Sequence, residues 1–155
     1  MKTIQLTQGK STIVDDGDFI ELSKYKWYAE KRSNGYYART TINGKNFYMH
    51  RFILSLSDKS KYADHINRNT LDNRRINLRE CTPVDSSCNK GKRQNTSSQY
   101  LGVCFDKSRG KFMAYVNYNK KRTYLGRFAS EADAAIAYNK KAILLQKEFA
   151  NLNAL

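Results

Sequence analysis

The stretch DHINRNTLDNRRINLRECTPVDSSCN, residues 64–89, starts with an aspartate beside a histidine and is rich in asparagine. Asparagine and aspartate tolerate left-handed backbone and bond to their own main chain, which predicts a loop over residues 67–74. Strand-like residues precede this loop at 62–66 and follow it at 76–81, where Ile76 and Leu78 are expected to share one face. The stretch therefore predicts two strands joined by an asparagine-rich loop.

A helix is predicted directly after the second strand. Thr82 suits the N-cap, Pro83 suits the first helical position, and Asp85 stands three residues after the cap. Ser86 and Asn89 would then lie one turn apart on one face of this helix. The predicted order is strand, loop, strand, helix.

This order suits hydrolysis of a phosphodiester with one divalent metal ion, magnesium or manganese. Such hard cations prefer oxygen ligands, which Asp64 can supply from the strand and the helix can supply opposite it. His65 follows in the strand, points to the other side of the backbone, and can accept a proton from the attacking water. The alternative is that His65 is a hydrogen-bonded turn residue and the asparagines only form turns.

The charge of the chain favours a polyanionic partner. The 155 residues hold 28 Lys and Arg against 14 Asp and Glu, a net charge of +14, with 11 tyrosines interleaved. Nucleic acid is the first expectation, and solvated lysine faces are the alternative. No apolar run is long enough to span a membrane, no secretory signal is visible, and three cysteines without Cys-x-x-Cys spacing favour an intracellular protein.

The flanking segments divide the chain into three predicted regions. Residues 1–57 are expected to be β-rich, with hairpin turns at 33–35 and at Asn43-Gly44, an Asp-capped helical segment within 15–27, and a short helix or buried segment at 51–56. Residues 58–92 hold the asparagine-rich stretch, and residues 89–99 form a basic linker. Residues 97–153 form the third region.

The third region predicts a three-stranded antiparallel sheet followed by one helix. Ser130 caps the helix, and an apolar stripe of Ala135, Tyr138, Ala142, Leu145 and Phe149 would pack on one sheet face. The opposite face would be free to enter a DNA major groove, or it is simply a solvated outer face. This face would carry Cys104, Met113, Tyr115, Asn117, Arg122 and Tyr124.

Asp64-His65, NRNTLDNRRINLRECT and the helix after them resemble the HNH endonuclease family, most closely its phage and intron homing branch. The resemblance implies a ββα-metal nuclease core in which His65 is the general base, Asp64 a metal ligand, and Asn77 the asparagine that pins the loop beneath His65. His50 would be structural. The family places a liganding asparagine where this chain has Ser86, so Ser86, Asn89 or Asp85 completes the site, or metal affinity is reduced.

The segments YLGV, RGKFMAYV, YLGRF, EADAAIAYNKKA and ANLN resemble the plant ethylene-response-factor type DNA-binding domain, which also occurs fused to HNH nucleases in phages. The resemblance implies base and phosphate contacts by the residues on the outer sheet face. These are Cys104, Tyr115, Asn117, Arg122 and Tyr124. The plant family holds Arg or Trp at several of these positions, so its target sequence does not carry over.

The sequence therefore predicts an α+β protein with a β-rich N-terminal region, a ββα-metal core and a sheet-plus-helix DNA-binding domain. The predicted function is metal-dependent hydrolysis of phosphodiester bonds at a recognised site in double-stranded DNA, by nicking or by double-strand cleavage. The protein would be phage-encoded and act in the cytoplasm of a bacterial host. Two alternatives are a DNA-binding regulator with a weakened nuclease site, supported by Ser86, and an RNA-binding protein. Further predicted DNA contacts are Arg74, Arg75, Lys90, Lys92 and Arg93.

Overall fold

The computed structural model describes residues 1–92 and 96–155, which contain several small antiparallel sheets and four α-helices. The described residues form two compact units, 1–83 and 84–155. This mixture of helices and antiparallel sheets is compatible with the predicted α+β class. Within the described residues, no helix combines the length and the apolar character needed to cross a membrane.

The first unit contains three antiparallel sheets and two short helices. Strand β1 (Lys2–Gln5) pairs with β2 (Ser11–Val14); β3 (Tyr28–Arg32), β4 (Gly35–Ile42) and β5 (Lys45–Tyr48) form a meander; β6 (Tyr62–His65) pairs with β7 (Leu78–Cys81). Helix α1 spans Asp16–Leu22 and helix α2 spans Met49–Ile53. Their shared core includes Val14, Leu22, Trp27, Ala38, Met49 and Leu78.

The hairpins of the meander form where the turn signals predict them. Asn43 and Gly44 both have positive φ, 49° and 73°, the backbone that a two-residue hairpin turn requires. The residue before α1 is an aspartate, Asp15, as predicted, but its side chain makes no capping hydrogen bond. Its carboxylate instead accepts the backbone N–H of Arg75, at 2.7 Å, so the predicted cap is wrong in mechanism.

The predicted strand at 76–81 is too long at its start. Residues Arg75–Asn77 form a 3₁₀ turn, and β7 begins only at Leu78. Ile76 is 82% exposed whereas Leu78 is buried, so the two do not share a face. The backbone N–H of Asn77 bonds to the carbonyl of Arg74, which closes the turn and turns Ile76 into solvent.

The second unit contains helix α3 from residue 84 on, a three-stranded sheet and a long helix. Helix α3 spans Pro83–Cys88, and the sheet has the order β10 (Lys121–Phe128), β9 (Lys111–Tyr118), β8 (Val103–Asp106). Helix α4 spans Glu131–Gln146, and the Ser130 hydroxyl accepts the N–H of Asp133, as the capping pattern predicts. Its buried alanines and Tyr138 pack against Ala114 and Val116 of the sheet.

Candidate active site

The Asp-His pair ends β6, where two residues of β7 lie directly opposite it. Asp64 pairs with Arg79 and His65 with Leu78. Since side chains alternate along a strand, the carboxylate and the imidazole lie on opposite faces of this ribbon. His65 is buried, with 4% of its surface exposed.

Asp64 is held by an ion pair with Arg79. The Arg79 Nε and Nη2 donate to one carboxylate oxygen, Oδ2, at 3.1 and 2.9 Å, and the two side chains are only 16% and 12% exposed. Charge-assisted bonds between directly opposite strand residues fix the orientation of the carboxylate. Arg79 was not among the predicted site residues, although its place one residue after Leu78 puts it opposite Asp64 in this register.

A chain of buried hydrogen bonds fixes the tautomer of His65. The Thr12 hydroxyl donates to the carbonyl of Leu71 at 2.7 Å, so its oxygen can only accept from the Asn73 amide nitrogen, 2.7 Å away. The Asn73 oxygen, Oδ1, therefore faces His65 Nε2 at 3.1 Å and accepts a hydrogen bond from the Nε2–H group. The lone pair of the neutral ring is left on Nδ1, which is the basic nitrogen.

The surroundings of His65 keep its ring neutral. Burial lowers the pKa of His65, against opposing effects of the Asn73 hydrogen bond and of the Asp64 and Asp72 charges. The His50 ring lies edge-on to it with 5.0 Å between centroids, and the Tyr37 ring is at 6.0 Å. Burial, the charge of a protonated His65 and Arg51 lower the pKa of His50 to about 3. A neutral imidazole can accept a proton, as a general base must.

Asn77 pins the loop that follows His65. Its side-chain oxygen accepts the N–H of Asn67 at 2.9 Å, its amide donates to the carbonyl of Asp72 at 2.7 Å, and its own carbonyl accepts the N–H of Ile66. Asn77 is thus bonded to both ends of the loop. These hydrogen bonds hold Asn77 against the loop, and none of them involves the His65 imidazole.

The two loop arginines predicted to bind DNA both have carboxylate partners. The Arg74 guanidinium donates to Asp72 at 2.7 and 2.5 Å, and Arg75 donates to Asp18 at 2.9 and 2.7 Å. The Asp72 side chain is 4% exposed, whereas that of Arg75 is 58% exposed. Arg74 therefore serves first to satisfy a buried carboxylate.

The predicted metal ligands Ser86 and Asn89 and the predicted DNA contacts Lys90 and Lys92 belong to the second unit. Ser86 is half-buried within α3, and Asn89 directly follows α3 and is buried. Lys90 and Lys92 are exposed. Arg93 lies outside the described residues.

The outer face of the three-stranded sheet in the second unit carries the side chains that were predicted there. Tyr115 lies opposite Tyr124, Asn117 opposite Arg122, and Cys104 opposite Met113. The Arg122 guanidinium stands over the Tyr115 ring at 3.8 Å from the centroid. A bulge after Tyr124 also brings Arg127 onto this face, over the Tyr124 ring at 5.7 Å; sequence alternation alone missed it.

Part of this face lines a cleft of about 530 Å³ in the second unit. Six of the predicted DNA contacts are in its wall: Lys90, Lys92, Cys104, Tyr115, Asn117 and Arg122. Buried Gln146 also lines it, and its amide oxygen has no hydrogen-bond partner among the described residues. Protein surfaces that bind nucleic acid combine cationic side chains and aromatic rings around a groove in this way.

The chain is 37% identical over 161 residues to an uncharacterized HNH endonuclease of Acanthamoeba polyphaga mimivirus, across 97% of this chain and 79% of that protein. The chain belongs to the HNH endonuclease family. No family model matches this HNH protein, and no solved structure matches it. The membership supports a nuclease function, and the Asp64-His65 ribbon lies in the first unit.

The Asp64 carboxylate is an oxygen donor of the kind that a hard divalent cation prefers. Asp64 of the first unit offers a carboxylate whose orientation Arg79 fixes. Among residues 1–92 and 96–155, no group of three His, Cys, Asp or Glu side chains could hold a metal ion. A single carboxylate completed by bound waters suits a divalent cation that retains waters rather than a caged zinc ion.

Proposed function

We propose that this HNH protein is a metal-dependent endonuclease that hydrolyses phosphodiester bonds in double-stranded DNA. The observation that carries the proposal is the Thr12–Asn73–His65 chain, which leaves the basic nitrogen of a neutral histidine at Nδ1. Arranging a buried amide and a buried hydroxyl for one tautomer is what a general base needs.

In this mechanism the His65 Nδ1 takes a proton from a water molecule as its oxygen attacks phosphorus. One P–O bond of the diester breaks, and the leaving oxygen takes a proton from solvent. Asp64, held by Arg79, with Asn89, Ser86 or Asp85, would hold the divalent ion. When bound, that ion supplies positive charge that stabilises the leaving oxygen. Asn77 holds the loop, and Asn73 holds the ring, so that the lone pair keeps its direction.

DNA binding is assigned to the second unit as part of the same proposal. The outer sheet face, with Tyr115, Asn117, Arg122 and Tyr124, together with Cys104, would contact bases and phosphates, and the boundaries 58–92 and 97–153 would separate cutting from binding. The resemblance to the ethylene-response-factor type domain, the arginine–tyrosine stack and the cleft support this assignment. Lys90, Lys92, Arg93 and the exposed Arg75 would add phosphate contacts. Homing activity and a phage-encoded protein acting inside a bacterial cell complete the proposal.

The test is plasmid cleavage by the full chain with magnesium or manganese, with EDTA, and with His65→Ala. We expect metal-dependent cleavage that falls by about 10²–10⁴-fold in His65→Ala, while DNA affinity is retained. Cleavage that persists in EDTA, or at the parental rate in His65→Ala, contradicts the mechanism.

Ser86 favours a second candidate, a DNA-binding regulator with a weakened nuclease site. A serine hydroxyl is a poorer ligand than the asparagine oxygen expected at this position, so the parent would bind magnesium weakly. Ser86→Asn should then raise the cleavage rate and lower the magnesium concentration for half-maximal activity, whereas Asn89→Ala should change little. If Asn89→Ala alone abolishes cleavage, residue 89 is the ligand. If no variant cuts DNA, the regulator is the better description.

A further inference from the structure

A pocket of the first unit adjoins the candidate general base. It has a volume of about 360 Å³ and is lined by Arg32, Ser33, Asn34, Tyr37, Tyr48 and His50. The turn between β3 and β4 forms its rim, so we call it the hairpin pocket. Two of its wall residues, Tyr37 and His50, are also the ring neighbours of His65, at 6.0 and 5.0 Å between centroids.

Aromatic rings form the inner wall of the hairpin pocket. The Tyr48 ring stacks on His50 with 5.7 Å between centroids and 28° between planes, and Tyr37 meets both rings at 5.6 and 6.1 Å. The Arg32 guanidinium also lies over the Tyr48 ring, 5.5 Å from its centroid, so a sugar or a base would contact Tyr37 and Tyr48 beside this guanidinium rather than stack on an open face of Tyr48. The wall is therefore suited to one nucleotide.

The rim of the pocket carries hydrogen-bond donors and positive charge. Arg32 is 53% exposed and the Asn34 amide donates to the Tyr37 hydroxyl at 2.8 Å. One carboxylate, Glu30, pairs with both Arg32 at 2.7 Å and Arg39 at 3.3 Å, so this cluster keeps one net positive charge. A guanidinium with an amide beside it suits a phosphate group.

The hairpin is fixed to the loop that orients His65. The Thr70 hydroxyl donates to the carbonyl of Tyr36 at 2.6 Å, and it lies 3.0 Å from where a Cβ on Gly35 would stand. Gly35 has a φ of +134°, which glycine adopts without strain. The same loop supplies Asn73, so the pocket rim and the imidazole are held in one frame.

We propose that the hairpin pocket binds the nucleotide next to the scissile bond, with its phosphate on Arg32 and its sugar or base against Tyr37 and Tyr48. This inference rests on the proposed nuclease function, because the neighbouring nucleotide is defined by a phosphate placed at His65. It makes Arg32 a substrate-binding residue of the β3–β4 turn.

The test combines a protein change with a phosphate change. Duplex oligonucleotides spanning a bond that the protein cuts in plasmid DNA carry one uncharged methylphosphonate at each phosphate flanking that bond in turn. Cleavage by the parent, Arg32→Ala and Arg109→Ala is measured as kcat/KM. Arg109→Ala is the matched control, because Arg109 is also an exposed arginine, 61% exposed, and is ion-paired with an aspartate, Asp106.

We expect Arg32→Ala to lower kcat/KM by about tenfold, as loss of one charge-assisted bond does, and Arg109→Ala to change it less. At one position the methylphosphonate should lower kcat/KM of the parent by a similar factor. The same substitution should not lower kcat/KM of Arg32→Ala any further. Arg32→Lys should recover part of the loss. Two results would overturn the pocket proposal while the parent still cleaves. One is that the loss from Arg32→Ala adds to the loss from the methylphosphonate at every position, and the other is that Arg32→Ala and Arg109→Ala lower kcat/KM equally. No cleavage by the parent overturns both proposals.

Discussion

Replacing Thr12 by valine should disturb catalysis from a residue that is 53 positions away from His65 in the sequence. Thr12 is fully buried, and its hydroxyl both donates to the Leu71 carbonyl and accepts from Asn73. Valine keeps the shape and removes both bonds. The Asn73 amide then loses the contact that fixes which of its ends faces His65, so the tautomer with the lone pair on Nδ1 loses its preference.

The size of the effect follows from these two bonds. Leaving buried polar groups unsatisfied costs about 1–3 kcal/mol each, so the free energy of unfolding should fall by a few kcal/mol at most. Loss of a partner that orients a catalytic imidazole typically costs about 10–100-fold in activity, which we expect for the cleavage rate. The ¹⁵N chemical shifts of His65 should move from those of the Nε2-protonated form towards a mixture of tautomers.

Thr40→Val is the matched control for this variant. Thr40 is also a buried threonine, 2% exposed, and its hydroxyl donates to the carbonyl of Lys26 at 2.8 Å with no contact to His65. It should lose comparable stability and keep the parental cleavage rate and His65 tautomer. If Thr12→Val cleaves at the parental rate, or if Thr40→Val loses as much activity, the hydrogen-bond chain does not act through the imidazole.

Three further predictions concern pH, metal and DNA. His50 has a pKa of about 3 in the folded protein against 6.5 for the unperturbed group, so its contribution to stability is present above pH 6.5 and is lost as the pH falls towards 3. The free energy of unfolding should fall by about 2 kcal/mol from this group between pH 7.5 and 5, and His50→Phe should reduce that slope in urea titrations. Asp64→Asn should raise the metal concentration needed for half-maximal cleavage, and an unchanged value would remove Asp64 from the ligands. The logarithm of DNA affinity should fall steeply with the logarithm of salt concentration, and Arg122→Ala should make that slope shallower by about 0.9; an unchanged slope would mean that Arg122 contacts no phosphate.

The local elements were predictable because short-range signals determine them. The Asn43-Gly44 hairpin, the Ser130 cap of α4 and the alternating faces of the second sheet depend on residues within a few positions of one another. The error at Ile76 has the same origin, since the apolar alternation that predicted a strand was overridden by a 3₁₀ turn over Arg75–Asn77. Apolar periodicity does not predict this turn, because the turn depends on a backbone hydrogen bond and on the burial of Asn77.

The sequence by itself determined the family resemblance, the Asp64-His65 pair and the loop asparagine Asn77, because these stand in one short segment with a recognisable spacing. Only the tertiary structure decided which groups orient them. Arg79 holds Asp64 across a strand pair, and Asn73 and Thr12 hold His65 although Thr12 comes from the second strand of the chain. Buried polar groups must find partners wherever the fold brings donors and acceptors together, and that pairing depends on packing between distant segments rather than on neighbours in sequence.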